Sequence, residues 1–142
     1  MAFQEKSAWV MMVVLLIAGL LYVNSMLAIE TNLPDEAGTI ALVPIFGVYV
    51  GIIVIASIIG QIAIAIFSPS EASSDLDERD ELISAKAGNF SGMALGAGIV
   101  GSLISYLWFQ NGNWLFHAVF LSLMASALVE YGLKAFYYRR GY

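Results

Sequence analysis

Long stretches without a charged side chain constrain this protein more than any other feature of its sequence. No Asp, Glu, Lys or Arg occurs from Ser7 to Ile29, from Ala37 to Ser70, or from Ala87 to Val129. The chain has only six basic and eleven acidic residues in 142, and 60% of its residues are hydrophobic. An average soluble domain is about 45–50% apolar and about 25% charged. Because too few polar side chains remain to cover a water-facing surface, we expect an integral membrane protein with the lipid bilayer as its main partner.

These stretches divide into four helical spans. A helix rises about 1.5 Å per residue, so about 20 residues cross a hydrocarbon core of about 30 Å. The third stretch is long enough for two spans, and it breaks at Gln110-Asn111-Gly112-Asn113, whose residue types favour a turn. Strands of a membrane barrel would alternate polar and apolar residues, and these stretches do not. The sequence therefore predicts an all-α four-helix bundle in a single domain, 1–142, with spans at about 8–28, 40–67, 88–110 and 114–136.

The basic residues predict the orientation in the membrane. All six lie in the N-terminal tail, in the segment 68–87, or at the C-terminal end. The segment between the first two spans carries only acids, Glu30, Asp35 and Glu36, and the turn at 110–113 has no charge. By the positive-inside rule, both termini and the segment 68–87 are cytoplasmic, in a multi-pass protein of the plasma (inner) membrane. A cleaved signal peptide is disfavoured because the first apolar run exceeds the usual length of about 7–15 residues.

The cytoplasmic segment 68–87 is acidic, although the side it occupies is otherwise basic. Six acids and two bases lie between Ser70 and Ala87, which gives a local charge of −4. Ser74, followed three residues later by Asp77, resembles a capping box. We therefore expect one helix of about 35 residues that begins at Ser74 and extends the third span three or four turns into the cytoplasm. A solvated, charged helix end is the plainest interpretation of the acids.

No pattern in the sequence predicts catalysis, a metal or a cofactor. A calcium loop of the EF-hand type from Asp75 would need Gly at its sixth position and Glu at its twelfth, where the sequence has Asp80 and Lys86. Gly-rich phosphate loops, Ser-His-Asp sets and HExxH motifs are missing from the sequence. The chain has no Cys and one His. We therefore expect no enzyme activity, and the net charge of −5 argues against a nucleic-acid partner.

Three polar side chains within the spans are candidates for function. Gln61 lies in the inner half of the second span, His117 near the outer end of the fourth, and Glu130 near its inner end. Intramembrane acids are functional candidates by default, so Glu130 could couple transport to protons. The favoured alternative is an ion pair with Lys134, one turn later, or with Arg79. For His117, a hydrogen bond within the bundle is favoured over metal binding, because no second ligand lies at a suitable spacing.

Glycines at four-residue spacing predict a close helix contact. Gly88, Gly92 and Gly96 form a ladder on the third span. Because lipid is as apolar as leucine, membrane helices associate through small residues that let backbones approach. The ladder either packs the second and third spans together in one chain or forms the interface of a homo-oligomer. The first interpretation is favoured, since such patterns are common in membrane bundles.

Three motifs occur in an order that resembles a known family. They are Phe3-Gln4-Glu5-Lys6-Ser7-Ala8-Trp9, Asp77-Glu78-Arg79-Asp80-x-x-Ile83 and Tyr138-Arg139-Arg140-Gly141-Tyr142. Together they are similar to those of small prokaryotic four-span inner-membrane proteins of unknown function. The resemblance covers nearly the whole chain and implies the same four-helix fold. Because members of that family often lie near small helix-turn-helix regulators, it also implies a regulatory setting.

Two functions of different classes remain open at this point. The first is a non-enzymatic protein that binds a cytoplasmic or membrane protein partner through its acidic helix and C-terminal bases. The second is a small membrane transporter or channel, monomeric or dimeric, which lacks a charged residue at mid-bilayer. A polar cavity reaching Gln61 or Glu130 would favour transport, and a dry interior would favour interaction. The candidate contact residues for interaction are Asp77, Glu78, Arg79, Asp80, Glu81, Arg139 and Arg140.

Overall fold

The computed structural model describes residues 3–30, 42–67, 69 and 77–140. They form four α-helices, which are α1 (Phe3–Glu30), α2 (Leu42–Phe67), α3 (Glu78–Phe109) and α4 (Gly112–Arg140). Each helix is long and apolar enough to cross a membrane. The predicted all-α four-helix bundle is therefore confirmed, and the protein is a multi-pass membrane protein. The acids Asp35 and Glu36 lie outside the described residues, as do residues 70–76 of the acidic segment.

The helices run antiparallel, and their main contacts follow the order α2–α1–α4–α3. Two contacts set the register of each packed pair: Ser7–Gln61 and Ser25–Tyr49 for α1 and α2, Glu5–Arg139 and Tyr22–His117 for α1 and α4, and Asp80–Tyr138 and Ser91–Ser126 for α3 and α4. As a result, Phe3 and Arg140 lie at the same end of the bundle, which we call the terminal end. Helices α2 and α3, although successive in the chain, are not main packing partners.

A cluster of aromatic and small side chains forms the core in the half of the bundle away from the terminal end. Ala18 and Tyr22 of α1 are buried against Phe120 and Met124 of α4. The ring centroids of Tyr22 and Phe120 are 4.5 Å apart, and Phe46 of α2 packs edge-on against Phe120 at 5.2 Å. Such tilted and edge-on pairs add to the dispersion energy of close packing. The core therefore lies where α1, α2 and α4 meet.

Helix α3 begins at Glu78, so the predicted start at Ser74 is wrong. Asp77 has an extended backbone (φ −76°, ψ 153°) and is the N-cap of the helix. Its N–H group donates to Oδ2 of Asp80 at 3.4 Å, which is half of a capping box. Asp is as good an N-cap as Ser, so the Asp77–Asp80 pair can start the helix three residues later than the Ser74–Asp77 pair would. The helix has 32 residues, and the part that precedes its apolar span is shorter than the sequence indicated.

The predicted turn between the last two helices is confirmed at Gln110 and Asn111. Gln110 has a left-handed backbone conformation (φ 48°, ψ 30°), and its N–H group donates to the carbonyl oxygen of Tyr106 at 2.8 Å. The side chain of Asn111 accepts a hydrogen bond from the N–H group of Trp114 at 3.1 Å, which caps α4. The positive φ therefore falls on Gln110, and Gly112 is already helical.

The glycine ladder of α3 faces open space within the described part of the chain. A Cβ atom built at Gly88, Gly92 or Gly96 would meet nothing within 4 Å. The interpretation in which these glycines pack the second and third spans together is therefore not supported, because α2 and α3 are not main partners. A contact between two copies of the chain stays a prediction.

Two other glycines lie at the closest helix approaches. A Cβ atom at Gly98 of α3 would lie 2.7 Å from Cβ of Ser122 in α4. One at Gly60 of α2 would lie 2.6 Å from Cγ1 of Val10 in α1. A side chain at Gly98 would require the helices to move apart, and one at Gly60 would require the Val10 side chain to shift. Because the Ser122 Cβ atom is fixed by the backbone, the contact at Gly98 is the less adaptable of the two.

Candidate functional site

The terminal end of the bundle gathers the basic side chains of the protein. Among the described residues, five basic side chains lie over an aromatic ring, with 4.6–5.9 Å between the charged group and the ring centroid. At such distances the negative face of the ring attracts the cation, and the ring holds the side chain in place. The pairs are Arg79–Tyr138, Lys86–Tyr137, Lys134–Tyr131, Arg139–Trp9 and Arg140–Phe136.

The first turns of α3 are fixed to the last turns of α4. The Tyr138 hydroxyl donates a hydrogen bond of 2.7 Å to Oδ1 of Asp80. One turn further on, Ile83 is 1% exposed, and Ala87 is fully buried. Among the predicted contact residues, Asp80 therefore has a structural role. Glu78 and Glu81 are exposed to solvent on the same helix.

Replacing Tyr138 with phenylalanine should loosen the start of α3. The ring and its packing would remain, but Asp80 would lose a hydrogen bond to a charged acceptor, which we expect to contribute about 1 kcal/mol at this partly exposed site. Amide hydrogen exchange of residues 81–85, whose N–H groups donate to the first turns of α3, should then accelerate about fivefold. Tyr106→Phe, at the opposite end of α3, is the control. Equal exchange in the two variants would show that the hydrogen bond does not hold the helix.

An ion pair that the sequence did not predict joins the two chain ends. Oε1 of Glu5 lies 3.9 Å from Nε of Arg139, and the Arg139 guanidinium lies 4.9 Å from the ring centroid of Trp9. The carboxylate is buried, whereas 64% of the Arg139 side chain is exposed. One signal for this contact exists in the sequence: Glu5 and Trp9 are four residues apart, so they share one face of α1.

Gln61 connects α1 and α2. Its Nε2 atom donates to Oγ of Ser7 at 2.7 Å, and the Ser7 hydroxyl lies 3.1 Å from Oε1 of the same amide. Hydrogen bonds between membrane helices contribute about 0.6 kcal/mol each on average. This arrangement gives Gln61 a role in helix association.

Glu130 forms the ion pair with Lys134 that the sequence predicted. Oε1 of Glu130 lies 2.7 Å from Nζ of Lys134, and Oγ of Ser91 in α3 lies 3.5 Å from Oε2. Arg79, the other partner considered, instead lies over Tyr138. The carboxylate therefore has a positive partner on its own helix and a weak polar contact to the neighbouring one.

His117 lies in the buried core and contacts Tyr22. The Tyr22 hydroxyl and Nδ1 of His117 are 2.6 Å apart, and either atom can donate, depending on the imidazole tautomer. Tyr22 is 1% exposed and His117 is 5% exposed. The predicted hydrogen-bonded role of His117 within the bundle is therefore confirmed. Within residues 3–30, 42–67, 69 and 77–140, no group of three or more His, Cys, Asp or Glu residues could hold a metal ion.

Two described cavities open between helices. One, of about 410 Å³, lies between α1 and α4 at the terminal end and is lined by residues that include Trp9, Arg139 and Arg140. The other, of about 470 Å³, is apolar and lies between Phe46 of α2 and α4 near the opposite end. Neither is lined by Gln61 or Glu130, the two residues whose contact with a polar cavity would favour transport.

Comparisons with protein-family models, curated proteins and solved structures found no match to this chain. The family resemblance carried by the three motifs therefore stays a prediction. Of its motif residues, Gly141 and Tyr142 lie outside the described residues.

Proposed function

We propose that this chain is a non-enzymatic protein of the plasma (inner) membrane, with both termini cytoplasmic, that binds a protein partner through the start of α3. The observation that carries this proposal is the fixed position of the first turns of α3. The Asp80–Tyr138 hydrogen bond and the buried Ile83 hold the helix, while Glu78 and Glu81 stay exposed. A surface that is already ordered loses little conformational entropy on binding.

The charge of this surface indicates the chemistry of the partner. Asp77, Glu78 and Glu81 are exposed at the first turn of the helix, so a segment with Lys or Arg side chains would be attracted to them. The exposed Arg139 and Arg140 lie at the same end of the bundle, and their charge would orient such a segment toward the acids. The resemblance to the four-span family supports a regulatory role for the interaction.

Photo-crosslinking in intact cells tests the proposal. A crosslinking residue at position 78 should form one defined adduct with another protein. The charge reversal Glu81→Lys should abolish this adduct, whereas Glu81→Asp should retain it, because the attraction depends on the negative charge. The control is a crosslinker at Leu107, which is 74% exposed near the opposite end of α3. Recovery of only lipid and the protein itself from position 78 would overturn the proposal.

A small transporter or channel remains the second candidate. Its two candidate polar residues have partners within the bundle, since Gln61 contacts Ser7 and Glu130 contacts Lys134. A polar side chain in a substrate pathway would be expected to line a cavity, and the two described cavities are lined by other residues. These contacts favour the interaction proposal over transport.

A further inference from the structure

The cavity at the terminal end has two arginines and an apolar lining. It occupies about 410 Å³ between α1 and α4. Trp9 and Met12 line it from α1, and Gly132, Phe136, Arg139 and Arg140 line it from α4. We call this cavity the basic groove.

The two arginines are held in place by rings of the groove itself. The Arg139 guanidinium lies 4.9 Å from the Trp9 ring centroid, and that of Arg140 lies 4.6 Å from the Phe136 ring centroid. Both side chains are exposed, and 64% of Arg139 is accessible. A guanidinium that stacks on a ring can still donate hydrogen bonds from its edge, and its planar fork matches the oxygens of a phosphate.

Gly132 of α4 faces Met12 of α1 in the apolar lining beside the arginines. A Cβ atom at Gly132 would lie 4.0 Å from Sδ of Met12, so the missing side chain leaves room between the two helices. Met12 and Phe136 are the neighbouring apolar side chains of the groove. Groups at the ends of membrane-spanning helices lie at the depth where lipid phosphates meet the first acyl carbons.

We infer that the basic groove binds one anionic phospholipid, with its phosphate on Arg139 and Arg140 and an acyl chain over Gly132. The charge of the arginines complements the lipid phosphate, and the apolar lining complements the acyl chain. Inorganic phosphate could contact only the arginines. Glu5 is the one described carboxylate that pairs with Arg139. It is buried, its Oε1 atom lies 3.9 Å from Nε of Arg139, and its negative charge would repel the lipid phosphate. This inference goes beyond the proposed protein interaction and does not depend on it.

Titration of the purified full-length chain in micelles, followed by native mass spectrometry, tests the inference. Dioleoylphosphatidylglycerol should bind more tightly than dioleoylphosphatidylcholine. One arginine near an anionic lipid contributes about 1 kcal/mol, so Arg139→Gln or Arg140→Gln should weaken binding about fivefold and the double variant about 25-fold. Glu5→Gln, which removes the opposing carboxylate, should strengthen binding about two- to fivefold.

Arg79→Gln is the matched control, because it removes the same charge from the terminal end but lies over Tyr138, outside the groove. It should leave lipid binding within about twofold of the original value. An equal loss with Arg79→Gln would show general electrostatic attraction and overturn the site. Equal binding of the two lipids, or complete displacement of the lipid by millimolar inorganic phosphate, would overturn the lipid as the occupant.

Fluorescence quenching locates the bound chain independently of affinity. The protein has three Trp residues, so Trp108→Phe with Trp114→Phe leaves Trp9 as the single fluorophore. Phosphatidylglycerol with brominated acyl chains should quench Trp9 in this background, and the Arg139→Gln, Arg140→Gln pair should reduce the quenching. Quenching that is unchanged by the loss of both arginines would contradict the inference. A protein adduct at position 78 is a separate result, so the two proposals can fail separately.

Discussion

Replacing Tyr22 with alanine is expected to lower the free energy of unfolding by about 2–4 kcal/mol. The ring is 1% exposed and lies 4.5 Å from Phe120 and 5.3 Å from Tyr49, measured between centroids. Its loss would leave a cavity and remove the hydroxyl that contacts His117. This loss is no larger than aromatic-to-alanine changes cost in the cores of soluble proteins. The unfolded chain also stays in lipid, so little free energy comes from moving the apolar ring out of water.

Two further variants separate packing from hydrogen bonding. Tyr106→Ala, at a tyrosine that is 38% exposed, should change the unfolding free energy by less than about 1 kcal/mol. Tyr22→Phe keeps the ring and should lose about 0.6–1.7 kcal/mol, the range for hydrogen bonds between membrane helices. Reversible unfolding in mixed micelles gives all three values. If Tyr22→Ala lowers the unfolding free energy no more than Tyr106→Ala does, the core around Tyr22 does not determine stability.

Replacing Gly98 with alanine should destabilise the contact of α3 with α4 by about 1–3 kcal/mol. The new methyl group would lie 2.7 Å from Cβ of Ser122 and 2.6 Å from its Oγ. Rotation of the serine moves only the oxygen, so the helices must separate. Separation would also weaken the hydrogen bond from the Ser126 hydroxyl to the Ser91 carbonyl oxygen, 2.9 Å long, further along the same contact.

Gly101→Ala is the matched control on the same helix. A Cβ atom there would meet nothing within 4 Å, and alanine favours helix over glycine by about 1 kcal/mol. The control should therefore be neutral or stabilising, whereas Gly98→Ala should unfold more readily in the same mixed-micelle assay. If the two variants unfold alike, the approach of α3 to α4 is looser than the structure shows.

The helices and their number could be predicted from the sequence, but their packing could not. Charge-free stretches of the required length leave helical spans as the favoured solution in lipid, because every backbone group must be paired internally. The same apolar composition hides which face meets a neighbour. Gly92 and Gly98 have the same chemistry in the sequence, yet only Gly98 lies at a close helix approach. What distinguishes them is the position of Ser122, on a different helix.

Local interactions were predicted better than distant ones at the terminal end. The Glu130–Lys134 pair follows from spacing along one helix. The Glu5–Arg139 pair joins residues at opposite ends of the chain, and the Asp80–Tyr138 hydrogen bond joins two helices. Both contacts form because the helices pack in the order α2–α1–α4–α3, and no local sequence pattern specifies that order. The predicted start of α3 was wrong for a local reason: Ser74 and Asp77 are both good N-caps, so the sequence alone does not distinguish between them.

The position of α4 between α1 and α3 has a consequence for biosynthesis. Helix α4 follows the other three in the chain, yet it supplies the main partner surface of α3 and half of the core around Tyr22. During insertion, α1 and α2 can associate as soon as both are in the bilayer. Helix α3 lacks its main packing partner until α4 is inserted, so its face with Ser91 and Ser102 stays uncovered. A chain interrupted before α4 would expose this face and Tyr22 to lipid. In such a product the Tyr22 hydroxyl would lack its contact with His117, and the Ser91 carbonyl oxygen would lack the hydrogen bond from Ser126.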